Sequence, residues 1–172
     1  GGIYGSGCLN RSNITAQPFK AENIVVVYDG YCASTCTIFS EFMRQQANVS
    51  TIALGGRPTK DIIQAVGGVK GTNSYPWDYI LGSVELPYEL GLVHRTALGD
   101  YSNLPLLRAT NYVVNARDGI RKGDEEQTPL HFVYEPADCR IYYTPEMVVD
   151  QEAVWKTAAD TAFNGKSHCV AG

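Results

Sequence analysis

The sequence has no excess of positive charge and no long apolar run. Its 14 Lys and Arg residues are scattered and are outnumbered by 18 Asp and Glu residues, which gives a formal net charge of -4. Proteins that bind nucleic acid or anionic lipid through their surface need a basic patch. Apolar runs such as residues 24–27 are also far shorter than the roughly 20 residues that span a bilayer. Nucleic acid and membrane partners are therefore not expected.

The sequence also lacks the paired C-x-x-C spacing of a structural zinc site, so no metal is expected. It nevertheless contains five cysteines, at positions 8, 32, 36, 139 and 169. A chain of this size with so many cysteines is typical of a secreted protein with disulfides. The alternative is a cytosolic protein with buried free thiols. The odd count implies a bridge to another chain or one free thiol.

Two further features favour a secreted and processed protein. Sequons for N-glycosylation begin at Asn13 and Asn48. The chain opens with Gly1 rather than methionine, so we expect it to have been processed or trimmed from a longer precursor. Residues 1–20 are expected to form a polar, Gly-rich leading segment, and residues 21–172 a single α/β unit.

The first half of that unit has the pattern of a strand-helix-strand crossover. A β-branched run at 23–28 without alternation predicts a strand buried on both faces of a parallel sheet. Residues 34–46 predict an amphipathic helix that packs Ile38, Phe39, Phe42 and Met43 on the sheet and turns Ser40, Glu41, Arg44 and Gln45 away. Residues 50–54 predict the next parallel strand.

The second half gives weaker signals. We expect a short helix at 61–66, a helical stretch at 81–98 divided by Pro87, strands at 110–115, 130–134 and 141–143, and helices from Pro145 and over 150–163.

Chemistry is concentrated in the turn between the first strand and helix, over residues 29–36. A serine at such a bend, Ser34, lies where helix N–H groups and the positive end of the helix dipole can stabilise an oxyanion. The backbone N–H of Thr35 is the natural first donor. The alternative is that Ser34 or Thr35 only caps the helix. The segment lacks the G-x-S-x-G pattern, so an α/β-hydrolase fold is not supported.

Residues 24–43 read IVVVYDGYCASTCTIFSEFM. Three later segments belong with this one: 55–58 (GGRP), 65–71 (AVGGVKG) and 128–144 (TPLHFVYEPADCRIYYT). As a set these segments resemble the tail-specific (S41-like) serine peptidases, and in particular fungal secreted members allied to the chlamydial protease-like activity factor. The resemblance covers roughly residues 20–160. It implies a ClpP/crotonase-like spiral core of stacked strand-helix units, and it places the nucleophile on Ser34, the serine that follows alanine at the helix start.

In the most similar branch the general base is an upstream histidine, which is not recognisable here, so the resemblance implies an N-terminal companion chain or segment that supplies it. None of His94, His131 and His168 is expected to be the base; His131 is interpreted as a sheet residue. A lysine replaces histidine in another branch, which makes Lys60 and Lys70 candidates, although both are interpreted as surface lysines.

The resemblance loosely places the acidic member of the triad at Glu135. An ion pair of Glu135 with Arg140, or a plain loop carboxylate, is an equal alternative, and residues 124–126 are interpreted as a solvated turn. A disulfide between Cys32 and Cys36 would brace the nucleophile turn. Cys139 and Cys169 would join the closing helix to the last strands, which leaves Cys8 for a missing segment. Other pairings remain open.

The sequence therefore predicts a secreted serine endopeptidase component that needs no cofactor and acts on polypeptide substrates through Ser34. Cys36 is a weaker nucleophile candidate because no cation lies beside it in the sequence. Two alternatives remain: a secreted, catalytically inactive peptidase-like binding protein, and a crotonase-like enzyme that acts on acyl thioesters.

Overall fold

The computed structural model describes residues 18–66, 70–94 and 112–172. Cys8, Asn13 and all but residues 18–20 of the predicted leading segment therefore lie outside the described residues. The elements, in chain order, are β1 (Val25–Tyr28), α1 (Thr35–Gln45), β2 (Ser50–Leu54), β3 (Gly71–Pro76), α2 (Trp77–Glu89), β4 (Val113–Asp118), β5 (Cys139–Ile141), α3 (Pro145–Val149) and α4 (Gln151–Phe163). Short 3₁₀ turns occupy Ala21–Asn23 and Leu130–Phe132.

Within the described part of the chain, the main sheet contains three parallel strands in the order β1-β2-β5. In the register of the sheet, Val25 lies opposite Ser50 and Ile52 lies opposite Cys139. The middle strand β2 is buried from Thr51 to Leu54, which explains the apolar run at 52–54. β1 lies at the edge, so the predicted strand is confirmed but it is less buried than a central strand. The predicted α/β class with a parallel sheet is confirmed.

The two faces of this sheet have separate cores. On one face Ile52, Leu54 and Ile141 pack against Met147, Ala153 and Ala158 of α3 and α4. On the other face Tyr28 and Ala53 pack against Cys32, Ala65, Val66 and Ala137. This division follows from the alternation of side chains along each strand.

The helix α1 is turned differently from the prediction. Thr37 and Ser40 are buried, with 3% and 1% exposure, whereas Ile38, Phe39 and Phe42 are 36–53% exposed. The expectation that these apolar side chains pack on the sheet is therefore wrong. The space beneath the helix is filled by Tyr28 and by the Cys32–Cys36 disulfide, and Ser40 fits there because its small side chain turns back to the Cys36 carbonyl at 2.7 Å.

A second, two-stranded antiparallel sheet joins β3 to β4, with Gly71 opposite Asp118. β3 was not predicted. The strand expected at 110–115 is shifted to Val113–Asp118, and residues 110–111 lie outside the described residues. α2 begins at Trp77, passes Pro87 and ends at Glu89, so it starts earlier than expected and Pro87 lies in its last turn. Residues 95–98 of the predicted stretch are not described.

Two other expectations are wrong. Residues 61–66 form no helix, because this segment makes an isolated bridge from Gln64 to Pro136 instead. The predicted strand at 130–134 is a 3₁₀ turn over Leu130–Phe132, whose start is fixed by the Leu130 N–H donating to the Gly119 carbonyl at 2.9 Å. Both segments are shaped by contacts with residues far from them in the sequence, which periodicity does not reveal.

The C-terminal helices begin and end close to the predicted positions. Thr144 caps α3 by accepting from the Met147 N–H, and Asp150 caps α4 by accepting from the Glu152 N–H. A disulfide joins Cys139 of β5 to Cys169, with the two Cα atoms 5.4 Å apart. It ties the segment that follows α4 to the edge of the sheet. Among the described residues, no helix combines the length and apolarity needed to cross a bilayer.

Arg140 organises the loop that follows β2. Its side chain is fully buried and donates to backbone carbonyl oxygens of Gly55, Arg57, Thr59 and Asp61. The guanidinium also lies 5.0 Å from the centre of the Tyr142 ring. Arg140 therefore stabilises the loop by binding the carbonyl groups of the loop. The alternative ion pair between Arg140 and Glu135 is not formed.

Candidate active site

The turn that carries Ser34 is shaped by backbone conformation and by a disulfide. Asp29 Oδ1 accepts a hydrogen bond from the Tyr31 N–H at 3.0 Å, and Gly30 adopts φ +90°, a conformation that favours glycine. Cys32 and Cys36 are joined by a disulfide with their Cα atoms 5.3 Å apart. The bridge closes a loop with Ser34 at its centre.

Ser34 has an unusual backbone conformation. Its φ of 57° and ψ of -120° lie where a residue with a side chain is strained, at a cost of about 1–3 kcal/mol. The Ser34 N–H donates to the Gly71 carbonyl at 3.1 Å, which ties the turn to the start of β3. Ser34 occupies the N-cap position of α1, but its side chain makes no capping hydrogen bond. The alternative role of Ser34 as a helix cap is therefore not supported.

The Thr35 N–H lies in the first turn of α1, directly after Ser34. Thr35 is exposed, and no acceptor is assigned to its N–H within the described part of the chain. The N–H groups of a first helical turn have no partner inside the helix, and the helix dipole places partial positive charge there. A negative charge that develops beside Ser34 would meet this donor.

A buried ion-pair network lies next to Gly71. Lys70 is 4% exposed, and its Nζ donates to the Glu135 Oε2 at 3.0 Å and to the Val133 carbonyl. The other oxygen of Glu135 binds the guanidinium of Arg121, which also pairs with Glu41 of α1. The network therefore ties β3, α1 and the segment after Leu130–Phe132 to one another.

This network changes the interpretation of Lys70 and Glu135. Lys70 is not a surface lysine, because its side chain is buried and its Nζ donates to a carboxylate and to a backbone carbonyl. Burial acts to raise the pKa of Glu135, but the hydrogen bond and charge of Lys70, with the charges of Arg121 and Arg44, hold that pKa below its ordinary value. Both oxygens of Glu135 contact cations rather than an imidazole.

The lowered pKa of Glu135 predicts acid sensitivity of the fold. A carboxyl with a depressed folded-state pKa contributes stability that is complete above the unfolded-state value and is lost as pH falls through the folded-state value. We therefore expect the free energy of unfolding to decline as pH falls below about 4.5, and to decline less steeply in Glu135→Gln. Chemical denaturation between pH 3 and 6 measures both slopes.

The control for this experiment is Glu125→Gln, which removes an exposed carboxylate outside the network. It should keep the slope of the wild type. Equal slopes for the wild type and Glu135→Gln would show that the ion pairs do not carry the acid sensitivity.

His131 forms a pair that the sequence did not signal. Its Nδ1 and its backbone N–H both contact the Oδ2 of Asp118, at 2.5 and 2.6 Å. Asp118 lies directly opposite Gly71, the residue that accepts from the Ser34 N–H. A carboxylate on Nδ1 fixes the tautomer and orientation of an imidazole in the way that catalytic bases use. The interpretation of His131 as a sheet residue is wrong, because it lies in a 3₁₀ turn.

The other sequence candidates lie apart from this turn or build structure. His94 and Lys60 are exposed, and the Nε2 of His168 is 3.9 Å from an oxygen of Asp160. Asp124 accepts from the N–H groups of Glu126 and Thr128, so it shapes a turn rather than facing only solvent. Within the described ranges no three His, Cys, Asp or Glu side chains are grouped to hold a metal ion.

Comparison with known proteins finds relatives over nearly the whole chain. One named Peptidase S41 family protein phomP1, from Diaporthe leptostromiformis, is 35% identical over 199 aligned residues that cover 95% of this chain and 29% of that protein. One named Peptidase S41 family protein ustP, from Aspergillus flavus, is 34% identical over 174 residues that cover 91% and 36%. A protein named phomP1', from Diaporthe leptostromiformis, is 34% identical, with 95% and 29% covered.

No family model and no solved structure matches the chain. The chain spans about a third of the length of the three curated relatives.

Proposed function

Because the chain belongs to the S41-like peptidase family, as its sequence predicted, we propose that it is the nucleophile-bearing part of a secreted serine endopeptidase. The substrate is a polypeptide, and Ser34 is the nucleophile. The observation that carries this proposal is the strained backbone of Ser34 at the N-terminus of α1. A capping hydrogen bond from the Ser34 side chain does not explain this strain, because none is formed. Such strain concentrates at functional sites.

The proposed reaction is acyl transfer to water. Ser34 Oγ attacks the carbonyl carbon of the scissile peptide bond while a general base removes the hydroxyl proton. The oxygen becomes an oxyanion that the Thr35 N–H and the N-terminal end of α1 stabilise. The C–N bond then breaks and the base gives its proton to the leaving amine. The same base next takes a proton from water, which attacks the acyl-enzyme; the ester C–O bond breaks, and the base returns the proton to Ser34 Oγ.

We assign the base to an upstream segment or companion chain of the same precursor. Three features support this: the relatives are about three times longer, the apolar face of α1 is exposed, and no strand among those described pairs with the outer edge of β1. Further strand-helix units stacked there would complete a ClpP/crotonase-like spiral core, with residues 21–172 as the C-terminal part of the catalytic domain. The companion would dock on Ile38, Phe39 and Phe42.

Glu135 remains the proposed acidic member of the site. Its contacts with Lys70 and Arg121 favour action through position rather than direct contact with an imidazole. Lys70 is followed by Gly71, whose carbonyl holds the Ser34 N–H. Glu135 would therefore fix the strand that fixes the nucleophile turn.

Secretion, glycosylation and proteolytic processing are parts of the same proposal. The two disulfides fit an oxidising compartment. Asn48 lies in the connection between α1 and β2 and has φ +53°. Because Asn48 is exposed, its side chain is accessible to a glycosyl transferase. Asn13 is proposed on its sequon alone.

The test is complementation. The 172-residue chain alone is expected to hydrolyse no unstructured polypeptide, and addition of the upstream segment as a separate polypeptide should restore turnover. Phe42→Glu places a charge on the proposed docking face and should lower the restored activity at least about tenfold, because an unpaired charge is costly to bury. Phe19→Glu, at another exposed phenylalanine, is the matched control.

Turnover by the isolated chain would contradict a base from the companion. The pair of His131 and Asp118 would then be the base to examine, through the activity of His131→Gln. Equal complementation by Phe42→Glu and Phe19→Glu would remove the docking face from the proposal.

A catalytically inactive, peptidase-like binding protein is the second candidate. The occupation of both Glu135 oxygens by cations favours it, because no carboxylate there orients a base. The two candidates differ in whether the Ser34 hydroxyl is activated.

A further inference from the structure

The three parallel strands of the main sheet end at one edge, and the residues that follow them line a common depression. Asp29 follows β1, Gly55 follows β2, and Tyr143 lies two residues beyond β5. Three adjoining hollows open there, and each is lined by both Asp29 and Leu54. In parallel α/β sheets, ligands bind outside the carboxyl ends of the strands. The edge is therefore the expected place for a bound molecule.

The largest of the three hollows is a cleft of about 760 Å³, and most of the residues that line it are apolar. Its walls come from β1, β2 and the two C-terminal helices, and include Val27, Tyr143, Val148, Val149 and Trp155. Val149 is 86% exposed and Trp155 is 63% exposed. Exposed apolar side chains grouped around one cleft indicate a binding surface.

Asp29 is the single charged residue among the described residues that line the three hollows. Its Oδ1 accepts from the Tyr31 N–H, and no described residue donates to Oδ2. Burial, together with the negative charge of Asp29, raises the pKa of Tyr143. The cleft therefore combines an apolar wall with one carboxylate that can accept a hydrogen bond from a ligand.

We propose that this cleft is the substrate subsite of the peptidase, and that it takes a large apolar side chain with a lysine or arginine close to it in sequence. The inference rests on the proposed function of Ser34. The apolar side chain packs against Val149 and Trp155, and the cation pairs with Asp29. A charge-assisted hydrogen bond of this kind selects for a cationic residue.

Continuity with the nucleophile turn supports a substrate as the occupant. Asp29 and Ser34 belong to the same turn, five residues apart in the chain. An extended substrate rises about 3.3 Å per residue, and the proposal places in the cleft a side chain within a few positions of the scissile bond. The companion segment is a poorer occupant, because an apolar interface would leave Asp29 buried without a partner. The exposed face of α1 carries no such charge.

The experiment compares the kcat/KM values of the full-length protein for two peptide substrates. Both contain the same leucine or phenylalanine, and they differ only in a neighbouring lysine or glutamine. The wild type should cleave the lysine peptide with the higher kcat/KM, and Asp29→Asn should reduce the ratio of the two values about tenfold. Asp61→Asn, an exposed aspartate outside the hollows, should leave the ratio unchanged.

A second variant tests the apolar wall. Trp155→Ala should lower the preference for a phenylalanine peptide over an alanine peptide about tenfold. If Asp29→Asn and Trp155→Ala both kept the wild-type selectivity ratios, the proposed subsite would be overturned. Equal losses of kcat/KM on every peptide would also overturn it, because they would show that the cleft is an internal interface. The role of Ser34 is tested separately. If Ser34→Ala retained hydrolysis, Ser34 would not be the nucleophile, but the selectivity ratios could still be measured.

Discussion

Ser34→Ala in the full-length protein is expected to lower kcat/KM on an unstructured polypeptide by about 10⁶-fold, the order of the loss found when a serine peptidase loses its nucleophile. The loss comes from the missing oxygen, because alanine keeps the rest of the backbone and removes no capping hydrogen bond. The variant should remain folded, with a free energy of unfolding lower by no more than about 3 kcal/mol, the usual range for a single substitution. Peptide hydrolysis and chemical denaturation measure the two quantities.

Ser34→Gly separates loss of function from loss of fold. Glycine accepts a positive φ without strain, so this variant should be inactive and yet more stable than Ser34→Ala, by about 1 kcal/mol. An inactive protein that is more stable cannot owe its inactivity to misfolding. If both variants kept wild-type turnover, Ser34 would have no part in the mechanism.

Glu135→Gln is expected to lower the free energy of unfolding by about 3–5 kcal/mol, because it leaves the buried Lys70 without a counterion. Lys70→Met removes the other partner and should also destabilise. The double variant should recover much of the loss, since replacing both members of a buried pair leaves no unpaired charge and Arg121 still contacts Glu41. Urea denaturation at pH 7 measures all three.

The matched control for this cycle is Lys60→Met, at an exposed lysine. It should change the free energy of unfolding by less than about 0.5 kcal/mol. Additive losses in the double variant would contradict the direct pairing of Lys70 with Glu135. The same variants should also lower activity, because Gly71, which holds the Ser34 N–H, follows Lys70 in the chain.

The predicted elements that depend on local sequence are those the structure confirms. β2 is continuous and apolar because it lies in the middle of the sheet, and α3 and α4 begin at Thr144 and Asp150, whose side chains cap them. A disulfide between Cys32 and Cys36 was one of the predicted pairings, and the structure contains it. Capping residues and small-residue turns act over a few residues, so a single sequence reveals them.

The errors arise where distant segments decide the outcome. Periodicity gave the amphipathic pattern of α1 but not its orientation, which is set by Tyr28 and the disulfide beneath the helix and by the ion pair of Glu41 with Arg121. Lys70 and Glu135 are 65 residues apart, and their pairing leaves no local signal. Asp118 and His131 were missed for the same reason. An imidazole paired with a carboxylate is recognised by distance, not by spacing in the chain.

The most direct measurement is covalent labelling of the full-length protein by a fluorophosphonate, which reacts with activated serine hydroxyls, followed by peptide mass spectrometry. The account predicts one label per molecule, located on Ser34, and its loss in Ser34→Ala. A protein that stays unlabelled while folded, or that carries the label on another residue, would contradict the assignment of Ser34 as the nucleophile and would favour the inactive binding protein in the first case.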